Sequence, residues 1–412
     1  MTQQPAVVRS DRSTLVMAIL LAGLATLGPF AIDTYMPSFP AIGRAFGATP
    51  LELQQTLAAY LIPFAFMTLF HGTLSDSFGR KPVVLIGLAL FAAASVGCAL
   101  AQSFNQLLLF RVLQGMSAGS GIVVGRAIVR DLYEGHHAQR VMSMITMMFG
   151  LAPAIAPILG GWLESWFGWH SIFVFLVVFA GVLFAACAWI LPETLPPAQR
   201  HPFRPRPLLT NYLKLLRSLP FGLLCSVIAF NFAGFFLYIA SAPAVIYDLL
   251  GLGEKDFGYL FIPGISGVII GAFISGRVAH RLSPRRTIAI GFAIMFAAVT
   301  LNVAYCAAFP PRLPWTVLPV MAYTMGMAIA MPSLTLLALD LFPDNRGMAS
   351  SLQGAQHSFF TGLTAGLVSP WVSGTALGLA ATASLLLACG FACWLVYTRL
   401  PRVTARTIPV AP

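Results

Sequence analysis

Charge is what this chain has least of: 9% of its 412 residues are Asp, Glu, Lys or Arg, against about 25% in soluble domains. A water-soluble enzyme of this size is excluded on that ground. Apolar residues make up 58% of the chain and the mean hydropathy is +0.83, so it belongs in a bilayer. Cysteine is scarce too. Cys98, Cys187, Cys225, Cys306, Cys389 and Cys393 all fall inside apolar runs, so no disulfide framework is implied. Cys389 and Cys393 share a helix face at i, i+4 without a carboxylate or imidazole beside them, which reads as packing. The chain has no G-x-x-x-x-G-K-[ST] segment to support ATP-driven work, and His136 and His137 are adjacent rather than at a zinc spacing.

What is present is length of apolar run. A helix crossing about 30 Å of hydrocarbon needs about 20 apolar residues. Runs of that length fall near 14–37, 53–73, 82–102, 105–127, 139–160, 170–191, 219–246, 257–279, 286–308, 315–339, 347–370 and 376–398. Twelve is even, so both termini share one side. Nineteen of the 24 Lys and Arg residues lie in the tails or in the loops of that side, and Arg44, Lys255 and Arg312 lie opposite. The positive-inside rule makes the shared side cytoplasmic. The net charge of +11 is then a topology signal and a contact with anionic lipid head groups rather than a nucleic-acid footprint. The first run is too long for a signal-peptide core and is not followed by an A-x-A-like site, so it reads as an uncleaved anchor.

The longest polar stretch, Pro192 to Ser218, carries six prolines and five basic residues and divides the chain. The expected organisation is an N-terminal six-helix bundle over 1–191, a cytoplasmic linker over 192–218, and a C-terminal six-helix bundle with a short cytoplasmic tail over 219–412. At an offset of 204, Gly72, Leu74 and Lys81 fall over Gly276, Val278 and Arg285, a faint repeat. A repeat of this period with an even helix count is a parallel duplication, which leaves a cavity where the halves face each other. Gly115 and Gly119, Gly121 and Gly125, and Gly267 and Gly271 are small-residue pairs suited to close helix approach.

The segment after the second run reads Gly72-Thr-Leu-Ser-Asp76-Ser-Phe-Gly79-Arg80-Lys81. Gly79 suits a tight turn, Arg80 and Lys81 hold a cytosolic loop, and Asp76 can face a helix N-terminus. The fourth run contains Arg111-Val-Leu-Gln114-Gly115, and an arginine in hydrocarbon costs at least about 2.5 kcal/mol, so it needs a partner. Of thirteen carboxylates, Asp33 alone sits well inside an apolar run. Asp33 and Arg111 each lie about 10 Å below the same surface, and at matching depth they can neutralise each other. Burial and a nearby cation move a carboxylate's proton affinity in opposite directions, so Asp33 reads as the proton-coupling acid and Arg111 as its modulating partner. A permanent ion pair fixing two helices is the structural alternative. The fifth run contains Pro153, Pro157, Gly160 and Gly161, a combination that allows a hinge.

These motifs resemble those of the major facilitator superfamily. The Gly72 to Lys81 segment matches its signature G-x-x-x-D-x-x-G-R-K at all five fixed positions, and Arg111, Gln114 and Gly115 are similar to its R-x-x-Q-G element. The fifth run resembles the antiporter element G-x-x-x-G-P-x-x-G-G, with Ala156 in place of a glycine. With LGPFAIDTYMPSFP in the first run, GRAIVRDLY after the fourth and FPDNRGMASSLQG at the eleventh, the chain resembles the bicyclomycin/chloramphenicol-resistance (Bcr/CflA) subfamily of drug:proton antiporters. The resemblance implies an all-α membrane protein of twelve transmembrane helices in two pseudo-symmetric six-helix bundles. It also implies that Asp76 latches against the start of the eleventh helix, near Asn345, Arg346 and Gly347, and that the protein works as a monomer.

The eleventh run carries Gln353, Gln356, His357 and Phe360 at i, i+3, i+4, i+7, a polar and aromatic stripe that must face protein or water. His357, the one histidine placed deep in a run, is a candidate second titrating group. Tyr35, Tyr60, Met144, Met148, Asn231, Phe235 and Tyr238 are further candidates for an adaptable substrate cavity. No nucleophile with a base, and no metal set, stands at bilayer depth, so neither an enzyme nor a metalloprotein is expected. The expectation is an inner-membrane antiporter, driven by the proton gradient without a cofactor, that exports hydrophobic or amphipathic small molecules. A proton-coupled uptake symporter for a metabolite or sugar is the alternative on the same fold.

Overall fold

A computed structural model describes residues 11–203, 205–278 and 281–400; the tails 1–10 and 401–412, expected above to be cytoplasmic, and the side chains of residues 11–13, 136, 205 and 344 lie outside the described residues. The long helices are α1 (Asp11–Asp33), α2 (Pro50–Phe78), α3 (Arg80–Ala99), α4 (Phe104–Leu132), α5 (Gly135–Phe167), α6 (His170–Ile190), α7 (Leu219–Ala240), α8 (Gly258–Val278), α9 (Pro284–Ala308), α10 (Leu318–Asp340), α11 (Arg346–Leu363) and α12 (Ala376–Arg399). Eleven of them are long and apolar enough to cross a membrane. The twelfth, α11, falls short because Gln353, Gln356, His357 and their Ser and Thr neighbours dilute it. It completes its crossing through an i→i+5 turn at Thr364–Val368 and a last turn at Ser369–Val372. A helix this polar is tolerated because it packs between protein neighbours, α2 and α7, rather than against lipid.

Several helix ends lie further out than the apolar runs, since the polar residues there are bound by neighbours in space instead of forming loops. α2 runs on through Gly72 and Asp76 to Phe78, so most of the signature segment is helix, and the joint is Gly79 alone at φ +103. α4 takes in Arg130 and Asp131, and α5 begins before Arg140. α5 is continuous through Pro153 and Pro157. Its Gly160 and Gly161 allow close approach: a side chain there would run into the backbone of Thr34 and of Glu254. The glycine pairs of α4 and α8 work in the same way, with Gly115 against the Tyr60 backbone, Gly121 against Leu24, and Gly267 and Gly271 against Met321 and Met325 of α10.

Helices α1–α6 pack on one another, as do α7–α12, and the two sets meet through α2 with α11 and α5 with α8. The contacts joining them gather at the end opposite the 192–218 linker. Tyr247, in an i→i+5 turn at Ala244–Leu249, donates its hydroxyl to the Pro37 carbonyl at 2.7 Å. Gly161 rests on the main chain of Glu254, and Gly362 and Gly366 rest on Leu61, Ile62 and Ala58 of α2. At the linker end Arg130 of α4 reaches toward Gly347 of α11, and the halves are bridged by the linker, which forms a helix over Pro205–Leu216. Its buried Tyr212 donates to the Leu69 carbonyl of α2 at 3.0 Å and lies beside Ser351 of α11. Burial pushes that phenol up to about 12, so it remains a donor at physiological pH. The crevice between the halves therefore opens toward the linker end.

Tyr247→Phe removes one hydrogen bond across the clasped end, a loss of about 1 kcal/mol. The share of molecules open at that end is expected to rise about fivefold, read as the distance distribution between spin labels on the α1–α2 and α7–α8 connections. An unchanged distribution would contradict this account of the clasp.

Candidate functional site

Arg111 is fully buried in the N-terminal half, yet it is not ion-paired. Its Nη1 donates to the Ala31 carbonyl at 3.0 Å and to Gln114 Oε1 at 2.9 Å. Its guanidinium lies 4.8 Å from the Tyr35 ring centroid and 4.7 Å from that of Tyr60, within cation–π range of both. Gln114 is fixed in turn: its Nε2 donates to Ser95 Oγ at 2.7 Å, Ser95 donates to the Phe91 carbonyl, and the Cys98 thiol lies 3.7 Å from Gln114 Oε1. The R-x-x-Q-G spacing has a local cause. Gln114 is one turn from Arg111 and reaches its side chain, while Gly115 lets the α2 backbone approach closely enough to bring Tyr60 over the guanidinium. Nε and Nη2 of Arg111 have no hydrogen-bond partner, which leaves a buried cation with donor capacity in reserve.

Asp33 ends α1, two residues beyond the Ala31 carbonyl that binds Arg111, and is 4% exposed. The expected neutralisation of one by the other is not made in this conformation. No ion pair within 4.0 Å joins them, and Asp33 has no ion pair or side-chain hydrogen bond with another described residue. Tyr60 is within electrostatic reach of both charges. A carboxylate and a guanidinium share one buried region, each with unused hydrogen-bonding capacity.

The signature residues behave differently from the expectation of a solvated cytosolic loop. Arg80 is 7% exposed, because it pairs with Asp76 and with Asp131 of α4 at 3.0 Å and donates to Ser75 Oγ at 2.7 Å. α3 begins directly after Gly79 and has no side-chain cap of its own. Glu193 supplies one from beyond α6, accepting from the backbone N–H of Arg80 at 3.0 Å and of Lys81 at 3.3 Å. Lys81 donates to the Ala188 carbonyl at the end of α6. Asp76 is thus engaged within its own half. The latch to the start of α11 is unmade, with Arg346 paired to Asp340 at 2.8 Å instead, as suits a crevice open at this end.

The cavity candidates divide. Tyr35, Tyr60, Asn231, Phe235 and Tyr238 are buried inside their own halves; Tyr238 accepts from Asn302 Nδ2 at 2.6 Å, and the Asn231 carbonyl accepts from Tyr323 at 2.8 Å. They are core residues rather than crevice lining. Met148 borders a lateral apolar groove of about 640 Å³ between α1, α5 and α6, beside Ile19 and Phe30; Met144 is half-buried. Gln353, Gln356, His357 and Phe360 of α11 are also half-buried. Gln353 reaches Thr335 at 3.3 Å, Gln356 reaches Ser226 at 3.4 Å, and the His357 ring lies 4.2 Å from that of Phe232. His357 is not the one histidine deep in a helix. With α2 extended to Phe78, His71 lies two turns inside it, buried against Gly119 of α4. Sequence reasoning also missed Ser95, Asp131, Glu193 and Tyr247, whose roles depend on partners far away in the chain. Among the described residues, no group of His, Cys, Asp or Glu is placed to hold a metal ion.

A membrane-spanning bundle of paired halves, with a buried Asp and Arg at its centre, is the architecture of a facilitator. The chain belongs to the Major Facilitator Superfamily, whose sequence model matches residues 15–365. It is similar to the bicyclomycin resistance protein homolog of Haemophilus influenzae, 32% identical over 287 residues covering 69% of this chain and 72% of that one. It is also similar to multidrug resistance protein D of Escherichia coli, 30% identical over 386 residues covering 92% and 95%. Among solved structures, a bacterial homolog of the human lysosomal transporter Spinster in an inward-facing, occupied conformation superposes with a TM-score of 0.72 at 16% identity, covering 95% of this chain and 98% of that one, which bears on the fold.

Gln114→Leu deprives Arg111 of its side-chain acceptor and leaves a buried charge bound by one carbonyl, a change expected to cost about 2–3 kcal/mol. Ser95→Ala removes only an outer link, worth about 1 kcal/mol. The expected order of thermal midpoints in detergent is wild type, Ser95→Ala, then Gln114→Leu. The reverse order would contradict the cradle.

Proposed function

We propose that this protein exports hydrophobic or amphipathic small molecules across the bacterial inner membrane in exchange for protons, with Asp33 as the proton carrier. The observation that carries this reading is a nearly buried carboxylate without an ion pair or hydrogen bond among the described residues, in the same half as a fully buried arginine held, among the described residues, by neutral groups alone. A structural ion pair would have used both charges up. The relatives named for drug resistance support the direction of transport and the class of cargo.

The linker end is cytoplasmic in this reading, by the excess of Lys and Arg there, so both termini are cytoplasmic and the described conformation faces inward. Asp33 takes its proton from the outer side when the halves open there. With the crevice open inward, cargo entering from the cytosol or the inner leaflet shifts α1 against α4 and favours release of that proton inward. Return to the outward state requires the Asp76 latch to form against α11 and the Tyr247 clasp to break. Each half supplies its own packed core, so a monomer suffices. The proton gradient is the energy source, and no cofactor takes part.

Asp33→Asn keeps shape and removes the titrating group. In proteoliposomes it is expected to bind cargo as wild type does while losing gradient-driven uphill transport by at least about a hundredfold. An expressed, folded Asp33→Asn that retains uphill transport sinks the assignment.

A further inference from the structure

Arg126 has no part in the proton site, and its placement bears on what the crevice accepts. It lies six residues, about 9 Å, inside the linker end of α4. Gly125 faces Leu21 of α1, and Val123 faces Gly72 of α2. At 100° per residue Arg126 falls between those two stripes, on the side of α4 that looks out between α1 and α2. α2 meets the other half along α11, so this wedge of α4 opens onto the crevice. The side chain is exposed, and no ion pair or hydrogen bond ties it to another described residue.

Among the carboxylates whose side chains are described, those nearby are already engaged. Asp76 and Asp131 are held by Arg80, Glu193 by the start of α3 and Arg200, and Asp340 by Arg346. Glu134 stands beyond the end of α4, and Asp33 is at the far end of α1. Across the crevice, Gln353 lies seven residues inside α11, about 10 Å and so at the depth of Arg126, and its Oε1 is buried without a hydrogen-bond partner. One turn deeper on the same helix is His357, with the Phe232 ring of α7 packed on it. A ligand at this level meets a cation at one edge and an aromatic surface further in.

We infer that Arg126 is the counter-ion for an acidic group on the transported molecule, so that the crevice takes amphipathic organic anions and neutral compounds and rejects lipophilic cations. This rests on the export reading and narrows its substrate class. A carboxylate or sulfonate accepts hydrogen bonds from the guanidinium in bidentate geometry, a neutral ring system uses the aromatic surface alone, and an ammonium is repelled.

The test is equilibrium binding to the purified full-length protein in a neutral detergent, with naphthalene-1-acetate, its primary amide and 1-naphthylmethylammonium as matched probes. The expected result is a Kd for the carboxylate at least about tenfold below that of the ammonium. Arg126→Gln should weaken the carboxylate about tenfold and leave the amide unchanged, the amide serving as the folding control, and Arg126→Lys should restore the preference. Equal or tighter binding of the ammonium overturns the inference, and so does an Arg126→Gln that binds the carboxylate as wild type does. If Arg126→Gln does not fold, the wild-type comparison of carboxylate with ammonium decides. Displacement of the carboxylate by phosphatidylglycerol and not by phosphatidylcholine would assign Arg126 to a lipid head group and also overturn it. Uphill transport that persists with an ammonium preference removes this inference alone; failure to bind or transport any of the three probes removes the export reading with it.

Discussion

A single buried guanidinium organises the N-terminal half. Arg111 cannot shed its charge, and burying it without a carboxylate is tolerable only because a carbonyl, a carboxamide and two aromatic faces surround it. Each of these requires a particular helix contact. The Ala31 carbonyl requires α1 to end beside α4, the Tyr60 ring requires α2 to lie against Gly115, and Gln114 requires Ser95 of α3. Four helices are thereby registered around one charge. Asp33, at the end of α1, is buried without an ion pair or side-chain hydrogen bond to another described residue.

The second charge cluster, around Arg80, does a different job with similar parts. Its carboxylates Asp76 and Asp131 come from α2 and α4, and with the Glu193 cap on α3 they tie the linker ends of α2, α3 and α4 into one block. The Tyr247 clasp stands at the opposite end and joins the two halves. Close approach at Gly161, Gly362 and Gly366 also joins them.

Much of this was legible in the sequence. Long apolar runs located the helices, the linker's composition marked the division, and Asp33 and Arg111 stood out because charge at bilayer depth is rare. The errors had a common physical source. Helix ends were drawn at polar residues, but Asp76, Arg130 and Asp131 remain helical because partners distant in sequence satisfy or accommodate them. Tyr60 and Tyr238 suggested a binding surface, and they are buried because Arg111 and Asn302 occupy their polar or aromatic faces. The expected direct contact of Asp33 with Arg111 followed from equal depth, and depth says nothing of the rotation of each helix. Polarity in α11 was the opposite case, where a stripe at helical period correctly implied contact with protein rather than lipid.

The central claim is that cargo and proton compete through Asp33, and its most direct test is the proton count on ligand addition to purified protein in weakly buffered detergent. The account predicts that a bound neutral drug releases close to one proton per wild-type molecule and none from Asp33→Asn. Equal release from both proteins, or binding without release from either, would contradict it.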